Sequence, residues 1–306
     1  MVNIGNLGEL RNYSLETIED WPNGSKFGLC LTHDVDRVKK SYQYITHGIK
    51  NKSFSDMLSF FQSGDEPYWQ FENIINLEES LGVRSTFFFL NESQKVNYFS
   101  PRTWPESLGR YDISSKKIKR IIKKLDEGGW EIGLHGSINS YNNINLLNHE
   151  KKVLEEIVGH KIYASRQHWL NLEIPQTWDI HRKLGLKYDS TFGPKYSVGF
   201  KNNLYHPFRP FNDNFLVLPL VIMDSFLFDL YPKFEDAMKM VMKIIDQVSE
   251  NKGLLTILWH QSTFYENDFP DYLEAYRQII QVCSEKGAWV ANCKQVFEHT
   301  TGEVLD

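Results

Sequence analysis

The sequence predicts an α/β protein built on a closed or distorted (β/α) barrel of seven or eight units, with an open doubly wound sheet as the alternative. Three observations carry that prediction. Short apolar runs alternate with helix-length amphipathic segments along most of the 306 residues. The runs are apolar at nearly every position, as expected of strands covered on both faces. Six of them end in Asp, His or Arg, and barrels of this kind carry their chemistry at the carboxyl ends of the strands.

Taken in order, strands are expected at 27–33, 85–90, 131–135, 163–167, 187–190, 216–223, 254–260 and 288–292. Helices are expected at 70–81, 115–127, 145–158, 175–184, 234–250 and 271–286. Gly82, Gly128, Gly159 and Gly185 directly follow four of them, the usual stop signal. The lysines of 116–124 share a helix with Ile118, Ile121 and Ile122 at helical spacing, which reads as a solvated face over a buried stripe. Two stretches break the alternation. One is a long insertion at 39–66, rich in Tyr, Phe and Lys; the other is a loop at 196–214, dense in Pro, Phe and Asn. At the functional end of a barrel such loops serve as lids or substrate walls; elsewhere they are solvated connectors.

Composition narrows the function classes. The hydrophobic and charged shares, 41% and 24%, are those of a soluble globular protein. A net charge of −5 argues against a nucleic-acid partner, which calls for a basic face. No apolar run reaches the length of a membrane span, and Met1–Asn6 carry no secretory pattern. Cys30, Cys283 and Cys293 show neither metal-ligand spacing nor a disulfide framework. A reducing, cytoplasmic setting is therefore expected.

The most informative stretch is Leu31-Thr32-His33-Asp34-Val35-Asp36, where an apolar run feeds into two aspartates. Residues two apart on a strand point to the same side, so Asp34 and Asp36 project together from the strand end. Two carboxylates that close call for a cation or a donor between them. A helix cap and a solvated turn would explain these two aspartates, but not the rest of the rim. His135 ends the third run, and Arg166 and His168 close the fourth, again two apart. Asp189, Asp224 and His260 follow the next three. Packing explains any one of these histidines equally well; it explains six such strand ends poorly. Asp and His are ligands for Zn2+ and similar ions. Such an ion polarises a carbonyl and acidifies water, while a second carboxylate takes a proton and a His returns one. The rim points to metal-assisted hydrolysis.

These residues resemble the polysaccharide deacetylases, the family that shares the NodB homology domain (carbohydrate esterase family four). The resemblance runs from about residue 27 to 292. It implies one domain over 1–306, a distorted (β/α)7-8 barrel of that type, with 39–66 as an insertion. Thr32-His33-Asp34-Val35-Asp36 resembles the motif whose first Asp is the general base and whose second binds metal. Ser85-Thr86-Phe87-Phe88-Phe89 resembles the family's second strand, and Glu131-Ile132-Gly133-Leu134-His135-Gly136-Ser137 its metal-histidine motif. Ser165-Arg166-Gln167-His168 stands where the family has an Arg paired with the catalytic Asp, and Leu258-Trp259-His260 where it has its catalytic His. The resemblance thus implies Asp34 as base, Arg166 as the group that orients it and keeps it ionised, and His260 as the acid for the leaving amine. Asp189 or Asp224 would fix the His260 tautomer. Asp36 and His135 would hold a divalent metal, Zn2+ or else Ni2+, Co2+ or Mn2+.

One departure leaves the ligand set open. Four residues after His135 the family usually has a second His; here stands Asn139. Asn139 is a weak ligand, or His168 (less directly His149) replaces it, or the site holds no metal and the protein binds carbohydrate without cutting it. The resemblance implies removal of an N-acyl group, most simply N-acetyl, from an amino sugar or sugar-linked small molecule, in the context of surface polysaccharide synthesis. An amidohydrolase acting on a non-sugar C–N bond is the other alternative. Trp169, Trp259, Phe192 and Phe264 flank the rim as candidates for sugar stacking or for core packing.

Overall fold

The computed structural model describes residues 14–15, 18, 20–41, 43–44, 66–92 and 110–306. Most of the expected insertion, residues 42 and 45–65, lies outside the described residues. One sheet contains β1 (Ser14–Leu15), β2 (Phe27–Val35), β3 (Thr86–Leu90), β4 (Glu131–Gly136), β5 (Ala164–Gln167), β6 (Tyr188–Asp189), β7 (Phe208–Arg209), β8 (Leu216–Val217), β9 (Leu220–Met223), β10 (Leu254–Leu258) and β11 (Ala288–Ala291). The strands follow the order β1-β7-β8-β6-β5-β4-β3-β2-β10-β9, with β11 joined to β2. Every pair from β8 round to β9 is parallel. β8 and β9 are consecutive in the chain, split only by Leu218 and Pro219, whose ring has no N–H for a ladder. The segment 216–223 therefore pairs with β6 at its start and with β10 at its end. That joins the two ends of the curled sheet and gives the distorted barrel.

The helices are α1 (Phe71–Ser80), α2 (Lys116–Glu127), α3 (Ile144–Val158), α4 (Gln176–Lys183), α5 (Asp224–Leu230), α6 (Phe234–Glu250), α7 (Tyr272–Glu285) and α8 (Cys293–Thr301). The six expected from periodicity are all present, with ends shifted by no more than a residue. In α2, Ile118, Ile121, Ile122 and Leu125 are buried beneath the lysine face. Among the described residues, two of these eight helices were not anticipated. α5 follows β9 without a break. α8 starts at a capping box made by Asn292 and Gln295 and buries Cys293, Val296 and Phe297. No described helix is long and apolar enough to cross a membrane.

β2 is the strand that places the site. All nine of its residues are buried because both edges are covered. β10 runs beside Gly28–Thr32; on the other edge β11 pairs with Phe27–Cys30 and β3 with Thr32–Val35. The strand thus runs two residues beyond its expected end, so Asp34 is held in the ladder and Asp36 is the first residue past it. Leu29, Leu31 and Val35 face the helix layer. Cys30 points inward to Phe88, Ala164, Tyr188, Leu216 and Leu218, and α8 closes that end with Cys293 and Phe297. The Arg166 guanidinium lies 4.6 Å over the Phe88 ring and marks where the apolar floor meets the polar rim.

Candidate metal centre and active site

The rim forms at the carboxyl ends of β2, β4, β5, β9 and β10. Asp34 and Asp36 share one side of β2, and both reach His135 near the end of β4. His135 Nε2 lies 3.6 Å from Asp34 Oδ2 and 3.1 Å from Asp36 Oδ1. His33 has the opposite parity and points into the helix layer, where it pairs with Glu78 at 2.9 Å. Arg166 of β5 is fully buried and fully engaged. Its Nη1 donates to Thr32 Oγ1 at 2.8 Å and to Asp34 Oδ1 at 2.9 Å. Its Nε and Nη2 donate to the carbonyl and hydroxyl of Ser190. Asp34 is thereby fixed through Oδ1 and presents Oδ2 to the site.

Beside Asp36, at the end of the strand next to β2, stands His260. Its Nδ1–H donates to Asp224 Oδ1 at 2.7 Å, and Asp224 Oδ2 accepts from the His260 N–H and from Thr263 Oγ1, both at 2.8 Å. Those bonds fix the ring, so that Nε2 faces the rim 3.8 Å from Asp36 Oδ2. Burial works against the His260 cation, but Asp224, then Asp36 and Asp34, outweigh it and push its pKa up to about 10. A cation held by Asp36 would remove part of that effect.

His168 opens a single 3-10 turn directly after β5, with Nε2 3.5 Å from Asp36 Oδ2. Trp169 and Leu170 in this turn take left-handed φ values of 60° and 49°. Non-glycine residues adopt that region only where surroundings impose it. The turn sends His168 inward, 5% exposed, and Trp169 outward, 49% exposed.

Asp36, His135 and His168 form a group whose ligand atoms all lie within 4.8 Å of one another. The donor set fits a divalent metal on three counts. First, the buried Asp36 Oδ1 makes no aligned hydrogen bond although His135 Nε2 is 3.1 Å away, so the two groups face a common point rather than each other. Second, His135 Nδ1 donates to the Arg166 carbonyl at 3.0 Å, the bond that commonly orients a ligating imidazole and leaves Nε2 for metal. Third, burial disfavours the His168 cation more than Asp36 favours it, which leaves the neutral imidazole that a metal needs; at His135 burial is outweighed by Asp34 and Asp36, which raise its pKa, so an ion there displaces a proton. Burial also opposes ionisation of Asp36, yet His168 and His135 outweigh it and hold its carboxyl well below the usual range.

The structure sorts the expected residues. Asp34, Asp36, His135, Arg166, His168 and His260 come together. Asn139 lies exposed in the turn after β4, and His149 is exposed on α3; neither belongs to the converging group. Of the two aspartates considered for His260, Asp224 takes the role. Asp189 instead accepts from the Thr191 N–H at 3.0 Å, and its burial pushes its pKa up to about 7. Trp259, Phe192 and Phe264 are core residues, whereas Trp169 lines a cavity of about 250 Å³ over the site. Lys195 and Tyr196 also line that cavity and were not anticipated. The loop expected at 196–214 includes Tyr196 but not Lys195.

The sequence matches no protein-family model and no curated protein sequence. The fold, in contrast, has clear counterparts: the chain has the (β/α) barrel fold of the polysaccharide deacetylases. A protein assigned as a polysaccharide deacetylase from Mycobacterium smegmatis superposes with a TM-score of 0.63 at 15% identity, covering 95% of each chain. Another from Pseudomonas aeruginosa PAO1 gives 0.62 at 14% identity, over 92% of this chain and 93% of that one. The allantoinase PuuE gives 0.58 at 14% identity over 91% of each chain. Identities this low establish the shared fold.

Proposed function

We propose that the protein is a metal-dependent hydrolase that removes an N-acyl group, most simply N-acetyl, from an amino sugar. One observation carries this reading: Asp34, fixed by Arg166, and His260, fixed by Asp224, both border the three convergent ligands, Asp34 Oδ2 3.6 Å from His135 Nε2 and His260 Nε2 3.8 Å from Asp36 Oδ2. Asp36, His135 and His168 would hold the ion, with no part for Asn139. An Asp-His-His set suits Zn2+, and Ni2+, Co2+ and Mn2+ are compatible. When bound, such an ion supplies Lewis acidity, polarising the acyl carbonyl and acidifying water.

The chain's own residues do the rest. Asp34 Oδ2 takes the proton of the attacking water while Arg166 holds Oδ1. His260 Nε2 delivers a proton to the nitrogen as the C–N bond breaks, so that the amine leaves neutral. Asp224 keeps Nδ1 as the donor end of that ring and steadies its charged form. The polysaccharide deacetylase neighbours support an acylated amino sugar as substrate, and Trp169 offers an exposed ring at the cavity wall. Three buried free cysteines fit a reducing, cytoplasmic compartment.

A second reading, hydrolysis of a non-sugar C–N bond, is favoured by the likeness to an allantoinase over nearly the full length of both chains. The deciding experiment measures acetate release from N-acetylglucosamine and its oligomers by the Zn2+-reconstituted protein, with allantoin in parallel. Metal-dependent acetate release supports the proposal. Ring opening of allantoin without acetate release replaces it by the second reading. Carbohydrate binding with no turnover of either leaves a binding protein on the same fold.

A further inference from the structure

The cavity contains a cation that the mechanism above does not use. Lys195 lines it together with the metal-ligand group and His260. Lys195 is half-buried and forms no ion pair among the described residues. Burial, and after it the like charge of Lys201, lower its pKa. The acids of the cavity are already committed, Asp34 to Arg166 and Asp36 to the two histidines. Arg37 lines the same cavity. A partly desolvated ammonium without an anion beside it costs stability, so its retention calls for a reason.

Lys195 is also held in place. Its loop is fixed at both ends to β9. At one end Gly193 packs so closely on Leu220 that a Cβ would come within 2.8 Å of it. At the other the Gly199 N–H donates to the Val221 carbonyl at 2.9 Å. Tyr196, the next residue, sits at a φ of 61°, with its ring 5.4 Å from that of Phe226. A tyrosine keeps that conformation only where its surroundings impose it. The backbone that carries Lys195 is thus anchored to β9 on both sides, and its side chain, half-buried, borders the cavity.

We propose that Lys195 determines specificity by binding an anionic substituent, a phosphate ester or a carboxylate, carried by the same molecule as the acylated amine. The inference rests on the N-deacylase reading of this cavity. A charge-assisted hydrogen bond in a water-poor cleft is stronger than a neutral one, and a cleft lined by positive charge draws anions in. The anion would sit beside the reacting centre, since Lys195 shares the cavity with Asp34 and His260.

The test compares wild type, Lys195→Met (which keeps the apolar stem) and Lys195→Arg, all loaded with Zn2+. The probes are N-acetylglucosamine, N-acetylglucosamine 1-phosphate and N-acetylmuramic acid. Two quantities are measured: the ratio of kcat/KM on anionic over neutral probes, and the dissociation constant of each probe by calorimetry. Wild type should prefer at least one anionic probe, and which one it prefers separates phosphate from carboxylate. Lys195→Met should lower that ratio at least about tenfold, through KM rather than kcat, and Lys195→Arg should restore most of it. Equal efficiency of wild type on neutral and anionic probes, or an unchanged ratio in Lys195→Met, overturns the inference and leaves the deacylase reading standing. If no probe is turned over, the deacylase reading fails and calorimetry decides the role of Lys195. A tenfold loss of anion affinity in Lys195→Met upholds it; no loss overturns it.

Discussion

Below Arg166 the inside of the barrel is mostly hydrocarbon and sulfur, with Cys30, Phe88, Ala164, Leu216 and Leu218 packed against α8, and one buried carboxylate, Glu131, bonded to Thr86 and Tyr188. A few residues further along the same strands it is Asp34, Asp36, His135 and Arg166. The two regions are almost equally dry, with Cys30 fully buried and Asp34 3% exposed. Their electrostatics are opposite. In the floor, burial pushes the Cys30 thiol up and keeps it neutral. In the rim, burial acts in the same sense, but the opposite charges there overcome it, and Asp36 and His260 stay ionised. Burial alone therefore does not set the state of a group; the partner within reach does. The floor supplies stability, and the rim spends side chains on chemistry at some cost to it.

The sharpest way to break this contrast is a change in each region. Asp34→Asn should lower turnover by about 10²–10⁴-fold, the usual worth of a positioned base. Its denaturant midpoint should also fall, because the fully buried Arg166 loses the carboxylate it pairs with, so turnover is compared per folded, metal-loaded molecule. Unaltered turnover would place the base elsewhere. Phe88→Ala should act on stability alone. It opens a cavity under Arg166 and should cost about 3–5 kcal/mol in denaturant unfolding, while the folded fraction keeps its metal stoichiometry. A cost under about 1 kcal/mol would mean that the floor is not the stabilising element.

A smaller effect sharpens the comparison. His181 on α4 is buried with no charge to support its cation, and burial alone drops its pKa to about 3. Its neutral ring accepts from the Gln167 amide at 2.8 Å and donates to Ser165 Oγ at 3.0 Å, directly behind His168. Because the folded pKa lies below the unfolded value near 6.5, the unfolded chain takes up the proton first. The stability from His181 is present in full above about pH 6.5 and is lost progressively as pH falls toward about 3. Denaturant unfolding at pH 6.5 and pH 5 should differ by about 2 kcal/mol from this group, and His181→Gln should flatten that slope. An unchanged slope would show that the ring is not kept neutral.

Much of this was legible in the sequence, and the gaps have physical causes. Apolar runs and glycine stops located the principal strands and helices, because a barrel strand covered on both faces has no polar side to blur it. β1 and β7 are two residues long, below what periodicity can register. α5 was hidden because its seven residues, Asp224–Leu230, are too few for helical periodicity to register. α8 was missed despite its capping box, since the expected architecture was complete at residue 292. At the rim, the polar strand ends pointed to Asp34, Asp36, His135, Arg166 and His260, which the fold brings together. The choice between Asn139 and His168 was beyond the sequence, because it turns on the left-handed backbone at Trp169 and Leu170. Likewise Asp189 and Asp224 both follow strands, and only the short turn to Thr191 shows which one is occupied elsewhere.

The central claim is that Asp36, His135 and His168 share one ion between Asp34 and His260. Its most direct test is Zn2+ content after reconstitution and desalting, measured by elemental analysis on folded wild type, His168→Ala and Asn139→Ala. The account predicts one equivalent in wild type and in Asn139→Ala, and well below one in His168→Ala. Full Zn2+ in His168→Ala with loss in Asn139→Ala would contradict it.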